Sequence, residues 1–285
     1  MKLIRFGEPG SEKPGVAADD GTRVDASAFG SDYDEAFFGG DGIERLAKWC
    51  GQHASRAPRV DLSIRLGPPI SRPSKLVCVG LNYRKHAAEA KLTLPPEPII
   101  FLKSTTSLCG PNDDLVIPRG STKMDYEVEL ALVIGKKALY VSKENAMDHV
   151  AGYALMNDYS ERNFQIERSG QWVKGKSADT FAPLGPFVAT REEIVNPGNL
   201  GLWLSVNGED RQKSNTADLV FDVPTLVSYI SQFMTLLPGD VISTGTPEGV
   251  GMGMNPPGFL KPGDVVEQGV DGLGTSRQKV VAWKA

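Results

Sequence analysis

Apolar and polar residues alternate in short runs along most of this chain, and few stretches keep a helical period. The clearest run is residues 126–134, Tyr-Glu-Val-Glu-Leu-Ala-Leu-Val-Ile. It opens with alternation and then becomes wholly apolar, as a strand does on entering a core. Shorter apolar runs predict strands over 3–6, 13–17, 75–80, 98–103 and 151–156. Helix-forming composition occupies 32–52, interrupted by Gly39-Gly40, then 82–91, ended by Leu94-Pro-Pro96, and a short stretch at 143–149. Residues 56–72 are rich in Pro and Arg around a strand-like stretch, and Pro68-Pro69 to Pro73 reads as a linker.

One turn recurs near the C-terminus. Pro238-Gly239-Asp240-Val241-Ile242 is echoed by Pro262-Gly263-Asp264-Val265-Val266. Pro-Gly suits the middle of a type II turn, because the second central position needs a positive φ. Each turn launches a β-branched strand. Two copies with different flanks do not make a solenoid. The 31 glycines and 20 prolines complete a picture of an α+β, β-rich fold with tight turns and few long helices. The organisation predicted is a small N-terminal α+β region over 1–70 and a main domain over 71–285. No dinucleotide fingerprint or phosphate loop is present, and the Gly-rich stretch 245–253 matches neither pattern.

Composition narrows the function classes. A 285-residue chain with 40% hydrophobic residues can bury a sizeable core. Its 31 Lys and Arg against 35 Asp and Glu leave a net charge of −4. That balance offers no electrostatic footprint for nucleic acid or an anionic membrane. No apolar run reaches a membrane span, and the start, Met-Lys-Leu-Ile-Arg-Phe-Gly, lacks a signal core, so a cytoplasmic protein is expected. Cys50, Cys78 and Cys109 are widely spaced and odd in number, the pattern of reduced thiols. With three histidines in all, a metal would be held by oxygen rather than by a histidine cluster.

Four clusters could carry chemistry. Glu127 and Glu129 stand two apart in the predicted strand, so they share a face with Cβ atoms about 7 Å apart. A hard divalent cation would relieve their repulsion. Read alone, the pair suits the solvated acidic face of an edge strand better. Asp158 follows the strand at 151–156, where a helix start is expected. It is either a ligand at a strand-to-helix junction or a helix N-cap. On that helix Arg162 and Gln165 would share its face. Lys176, ahead of a Pro/Gly turn, could meet a developing oxyanion, though most lysines are solvated. His86 and Glu89, three apart on a predicted helix, could form an oriented acid–base pair or a plain surface pair.

The order of these elements adds what each lacks alone. N-Y-x-x-H-x-x-E precedes F-L-K, D-Y-E-V-E-L, N-D-x-x-x-R-x-x-Q and K-x-x-D-x-x-x-P-L-G-P; V-N-G-E-x-R-Q and P-G-D-V-I-x-T-G-T-P-x-G-V-G follow. Over residues 73–285 this series resembles the fumarylacetoacetate hydrolase family. The first 70 residues resemble the variable N-terminal region of its bacterial members. Within the family, the opening K-L-I-R-F-G and the 32–42 segment are similar to hydrolases of 2,4-diketo-3-deoxy-L-fuconate and L-rhamnonate. The resemblance implies a mixed β-roll, a homodimer and a Mg²⁺ or Mn²⁺ cofactor on Glu127, Glu129 and Asp158, a site Ca²⁺ could also occupy. It implies that His86 and Glu89 form a catalytic dyad on a lid and that Lys176 faces a leaving enolate. Arg162, Gln165 and Thr246 would contact the substrate, and the 252–259 loop would shape its choice. The implied reaction is hydrolysis of a carbon–carbon bond in a β-diketo acid, with release of pyruvate. Alternatives are an oxaloacetate-type decarboxylase or isomerase, a ureidoglycolate lyase, and a non-catalytic metal- or sugar-acid-binding protein.

Overall fold

The computed structural model describes residues 1–284 and gathers most of the strands into a ten-stranded and a five-stranded sheet. The larger runs in the order Arg23–Asp25, Lys13–Ala17, Lys2–Phe6, Val188–Thr190, Val150–Asn157, Val128–Ile134, Val241–Ser243, Leu76–Gly80 and Ile99–Lys103, with Leu66–Gly67 also pairing Lys2–Phe6. The smaller joins Glu209–Asn215, Gly201–Val206, Val265–Val270, Gly274–Ala282 and Leu115–Ile117. The result is the β-rich α+β fold that the sequence pattern predicts.

Strand Val128–Ile134 explains why its sequence loses its alternation. It pairs antiparallel with Val150–Asn157 on one side and Val241–Ser243 on the other. All seven residues are buried. Val128, Leu130, Leu132 and Ile134 enter a core shared with Leu202, Leu204, Val266 and Val270 of the second sheet. Ala131 and Val133 point the other way, into a core with Leu3, Phe37, Phe38 and Leu46. A strand covered on both faces has no polar side to show, so only its start can carry charge.

Residues 1–70 are built into this arrangement. Lys2–Phe6 continues the large sheet through Lys2↔Ala189 and Leu3↔Val188. The predicted helix at 32–52 is two helices, Glu35–Gly39 and Gly42–His53, broken at the glycine pair. The two Pro-Gly turns match each other in detail. Gly239 and Gly263 have φ of 83° and 100°. In each turn the following aspartate donates its N–H to the carbonyl three residues back, Asp240 to Leu237 and Asp264 to Lys261. Its carboxylate accepts the N–H of that same residue. No helix among the described residues is long and apolar enough to cross a membrane.

The predicted helices shorten elsewhere. Residues 82–91 supply only Arg84–Glu89, and 143–149 forms a 3-10 helix. Beyond Asp158 the expected helix is replaced by Ser160–Glu161, which pairs with Met124–Asp125, and a π turn at Asn163–Glu167.

Candidate active site

Three carboxylates meet where the two central strands begin and end. Glu129 lies one residue into Val128–Ile134, Glu127 just precedes it, and Asp158 just follows Val150–Asn157. The register Val128↔Asn157 makes these ends neighbours. Asp158 is not a helix cap: a strand pair follows it, its carboxylate oxygens accept from Lys103 and Lys176, and its backbone N–H donates to the Glu127 carbonyl at 2.9 Å. The solvated-edge reading of Glu127 and Glu129 fails, because the strand is paired on both sides and the two residues are 6% and 1% exposed. Ligand oxygens of Glu127, Glu129 and Asp158 lie within 4.8 Å of one another.

Cations interleave with this floor. Lys176 Nζ donates to Glu127 Oε2 at 2.8 Å and to Asp158 Oδ2 at 2.7 Å. Lys103 Nζ donates to Asp158 Oδ1 at 2.5 Å and to the Tyr159 carbonyl. Arg162 donates to Glu127 Oε1, Asp125 Oδ2 and Gln165 Oε1. Lys103 and Asp125 are site residues that the sequence reasoning missed. A lysine ending the apolar run Ile-Ile-Phe-Leu is the signal that could have found the first. Asp125 is fully buried and also accepts the N–H groups of Gly251 and Met252.

The two glutamates sit in opposite fields. Burial favours the neutral form of Glu127, but Lys176 and Arg162 outweigh it and hold the carboxyl down at about 2. Glu129 has only neutral donors, the Ser243 hydroxyl at 2.5 Å and the Gly245 N–H at 2.9 Å. Burial, then the charges of Asp158 and Glu127, push its carboxyl well above the ordinary range. Lys176 is held protonated: burial opposes its charge, but Asp158 and Glu127 raise its pKa. An all-carboxylate donor set whose third member faces two like charges fits a hard divalent cation.

The turn that holds Glu129 needs its glycine. Gly245 has φ of 102°, and a Cβ there would lie 2.9 Å from Asn82 Cβ and 3.0 Å from the Val79 carbonyl. Asn82 Nδ2 in turn donates to the Thr244 carbonyl, and its Oδ1 accepts from Phe221 N. This ties the residues ahead of helix Arg84–Glu89 to the floor. Arg84 anchors that helix on the carbonyls of Asp218 and Leu219. His86 Nδ1 lies 3.2 Å from Glu89 Oε2, while Glu89 Oε1 accepts the Gly249 N–H at 2.9 Å.

Floor and dyad open on one cavity of about 150 Å³. His86, Glu127, Glu129, Asp158, Arg162, Gln165, Lys176 and Thr246 all line it, and Glu89 stands behind His86. The structure thus brings the sequence-predicted site residues together. Thr246 Oγ1 is already engaged, donating to the Val128 carbonyl and accepting from Gln212. Apolar side chains, Phe101 and Trp172 among them, form the rest of the wall. A larger cleft of about 1190 Å³ lies elsewhere, beside Arg5, Arg65 and Asp113, away from these groups.

Comparison with known proteins agrees with this geometry. Residues 75–281 match the family model described as fumarylacetoacetate (FAA) hydrolase C-terminal. A Burkholderia multivorans protein bearing the name "Putative hydrolase" is 48% identical over 279 residues, which is 98% of each chain. Maleylpyruvate hydrolase from Sphingobium sp. SYK-6, solved with manganese(II) and pyruvate, superposes with a TM-score of 0.83 at 32% identity, covering 100% of both chains. A 5-carboxymethyl-2-hydroxymuconate delta-isomerase from Mycobacterium smegmatis superposes with a TM-score of 0.79 at 34% identity, again covering 100% of both. With its fold and nearly its whole length shared with these proteins, the chain belongs to the fumarylacetoacetate hydrolase family of hydrolases and isomerases.

Proposed function

We propose that this chain hydrolyses the C3–C4 bond of a 2,4-diketo acid, an acylpyruvate, to give pyruvate and a carboxylic acid. The observation that carries this reading is the shared cavity, which holds an oxygen-only floor, a buried ammonium and an oriented histidine. A Mg²⁺ or Mn²⁺ ion held by Glu127, Glu129 and Asp158 would supply Lewis acidity to the 2-oxo acid end of the substrate. The relative solved with manganese and pyruvate supports that assignment.

The chain's own groups account for the proton movements. With Glu89 ionised, the His86 ring proton sits on Nδ1, and Nε2 is left as a base. His86 Nε2 takes a proton from water, and the hydroxide adds to the C4 carbonyl. The C3–C4 bond then breaks with its electron pair moving to C3, and the proton on His86 returns to that carbon. The Lys176 ammonium, fixed by two carboxylates, faces the enolate charge that develops on the pyruvate half.

Decarboxylation passes through a similar enolate but needs no activated water, so the His86–Glu89 pair favours hydrolysis over it. The test is release of pyruvate from a panel of acylpyruvates with Mg²⁺ or Mn²⁺, with and without EDTA. Metal-dependent pyruvate release is expected. Turnover of 2-oxo-3-ene acids without any cleavage would replace this reading by isomerisation, and silence on every substrate would favour a binding protein.

A further inference from the structure

We infer that the acyl half of the substrate is an apolar chain carrying neither hydroxyls nor a second carboxylate. The inference rests on the acylpyruvate reading and concerns the half of the cavity that the chemistry leaves unassigned. Every charged or amide side chain lining the cavity belongs to the floor or its supports. Arg162 is spent on Asp125, Glu127 and Gln165, and Lys176 on Glu127 and Asp158. The Thr246 hydroxyl is held by Val128 and Gln212. Apart from His86 of the dyad, all remaining lining side chains are apolar, the Trp172 indole N–H being their one polar group.

That wall is built, not incidental. Phe101 and Trp172 meet edge to face with centroids 5.3 Å apart, and the Lys176 ammonium lies 5.1 Å from the Phe101 centroid. Gly80 makes room for the indole, since a Cβ there would lie 2.7 Å from the Trp172 ring. At the rim, Leu92, Ile166 and Met252 come from three separate segments and are 54%, 49% and 38% exposed. Large apolar side chains left in water around a cavity mouth mark where an apolar ligand is covered. A polyhydroxylated tail would lose water there without gaining partners. This departs from the sugar-acid substrate that the N-terminal resemblance implies.

The test measures kcat/KM of the Mn²⁺-loaded full chain for acylpyruvates with short, intermediate and long alkyl tails. Analogues of matched length carry hydroxyls or a terminal carboxylate. Efficiency should rise by about fourfold per methylene while the tail stays on the wall. The hydroxylated and carboxylated analogues should fall roughly tenfold or more below the alkyl acid of equal length. Leu92→Asn and Ile166→Asn should flatten the dependence on tail length. Equal or better turnover of the polar analogues, or an unchanged slope in both variants, overturns the inference and leaves the acylpyruvate reading standing. If no acylpyruvate is cleaved, that reading fails, and calorimetric binding of straight-chain 2-oxo acids decides the point. Affinity that rises with tail length supports the apolar wall, and flat affinity overturns it.

Discussion

The carboxylate floor and the His86–Glu89 dyad face the same cavity but are held in different ways. Glu127, Glu129 and Asp158 stand at the ends of two strands in the middle of a ten-stranded sheet, with buried cations between them. Their positions follow from strand register and from the buried cations that pair with them. The dyad rides on a six-residue helix, anchored by Arg84 on two carbonyls and by Gly249 on Glu89. Floor geometry is therefore part of the folding problem, and dyad geometry is a local matter. Stability and catalysis should come apart when the two are disturbed separately.

The sharpest contrast is between Asp158→Ala and His86→Ala. The first leaves the buried Lys103 ammonium without a carboxylate partner and takes one of two from Lys176, which keeps Glu127. Breaking a buried pair in this way costs about 3–5 kcal/mol, so the urea midpoint should fall steeply and activity should vanish. The second removes one hydrogen bond from a short helix and should cost about 1 kcal/mol of stability. Its kcat should nevertheless drop roughly 10²–10⁴-fold, as for loss of a general base. Equal destabilisation by the two substitutions would erase the distinction between floor and dyad. Chelation gives a smaller effect of the same kind. Removing a cation that was at a hundred times its Kd should lower stability by about 2.7 kcal/mol, a shift His86→Ala should leave intact. Thermal unfolding of both proteins with and without EDTA checks this.

The same division governs how much of the site was legible in the sequence. Strand period alone puts Glu127 and Glu129 on one side, and the apolar run after them announces a core. What it leaves open is whether the strand is an edge, because its partners at 150–157 and 241–243 are remote in sequence. The pair became a metal site only through the order of the other motifs. The helix expected after Asp158 is absent because Ser160 and Glu161 find strand partners at Asp125 and Met124. Tertiary pairing overrides local helix propensity there. Lys103 stands in the sequence only as the end of the F-L-K motif, because one lysine ending a strand is ordinary; only the fold reveals that Asp158 stands beside it. His86–Glu89 was the easiest to see, since its geometry is local, three residues apart on one helical turn. The apolar wall was invisible, because Leu92, Phe101, Ile166, Trp172 and Met252 come from separate segments.

The smallest expected effect lies inside the floor, where the two glutamates should respond to pH with opposite sign. In the metal-free protein Glu127 is held near 2, below its ordinary value of 4.5, by Lys176 and Arg162 against the effect of burial. A depressed carboxyl stabilises the fold above 4.5, and that contribution is lost as pH falls through the folded value. Glu129 is raised well above 4.5 by burial and by Asp158 and Glu127. Its contribution is present below 4.5 and is lost as pH rises through the raised value. Glu127→Gln should therefore flatten the acid limb of the stability curve between about pH 4.5 and 2, and Glu129→Gln should flatten the limb above 4.5. A cation bound at the floor would displace the Glu129 proton, so calorimetry of Mn²⁺ binding in buffers of different ionisation enthalpy should register proton release below the raised value. Glu129→Gln should abolish that release. If release survives in Glu129→Gln, the proton belongs to another group, and Glu129 is not the member of the floor that the cation neutralises.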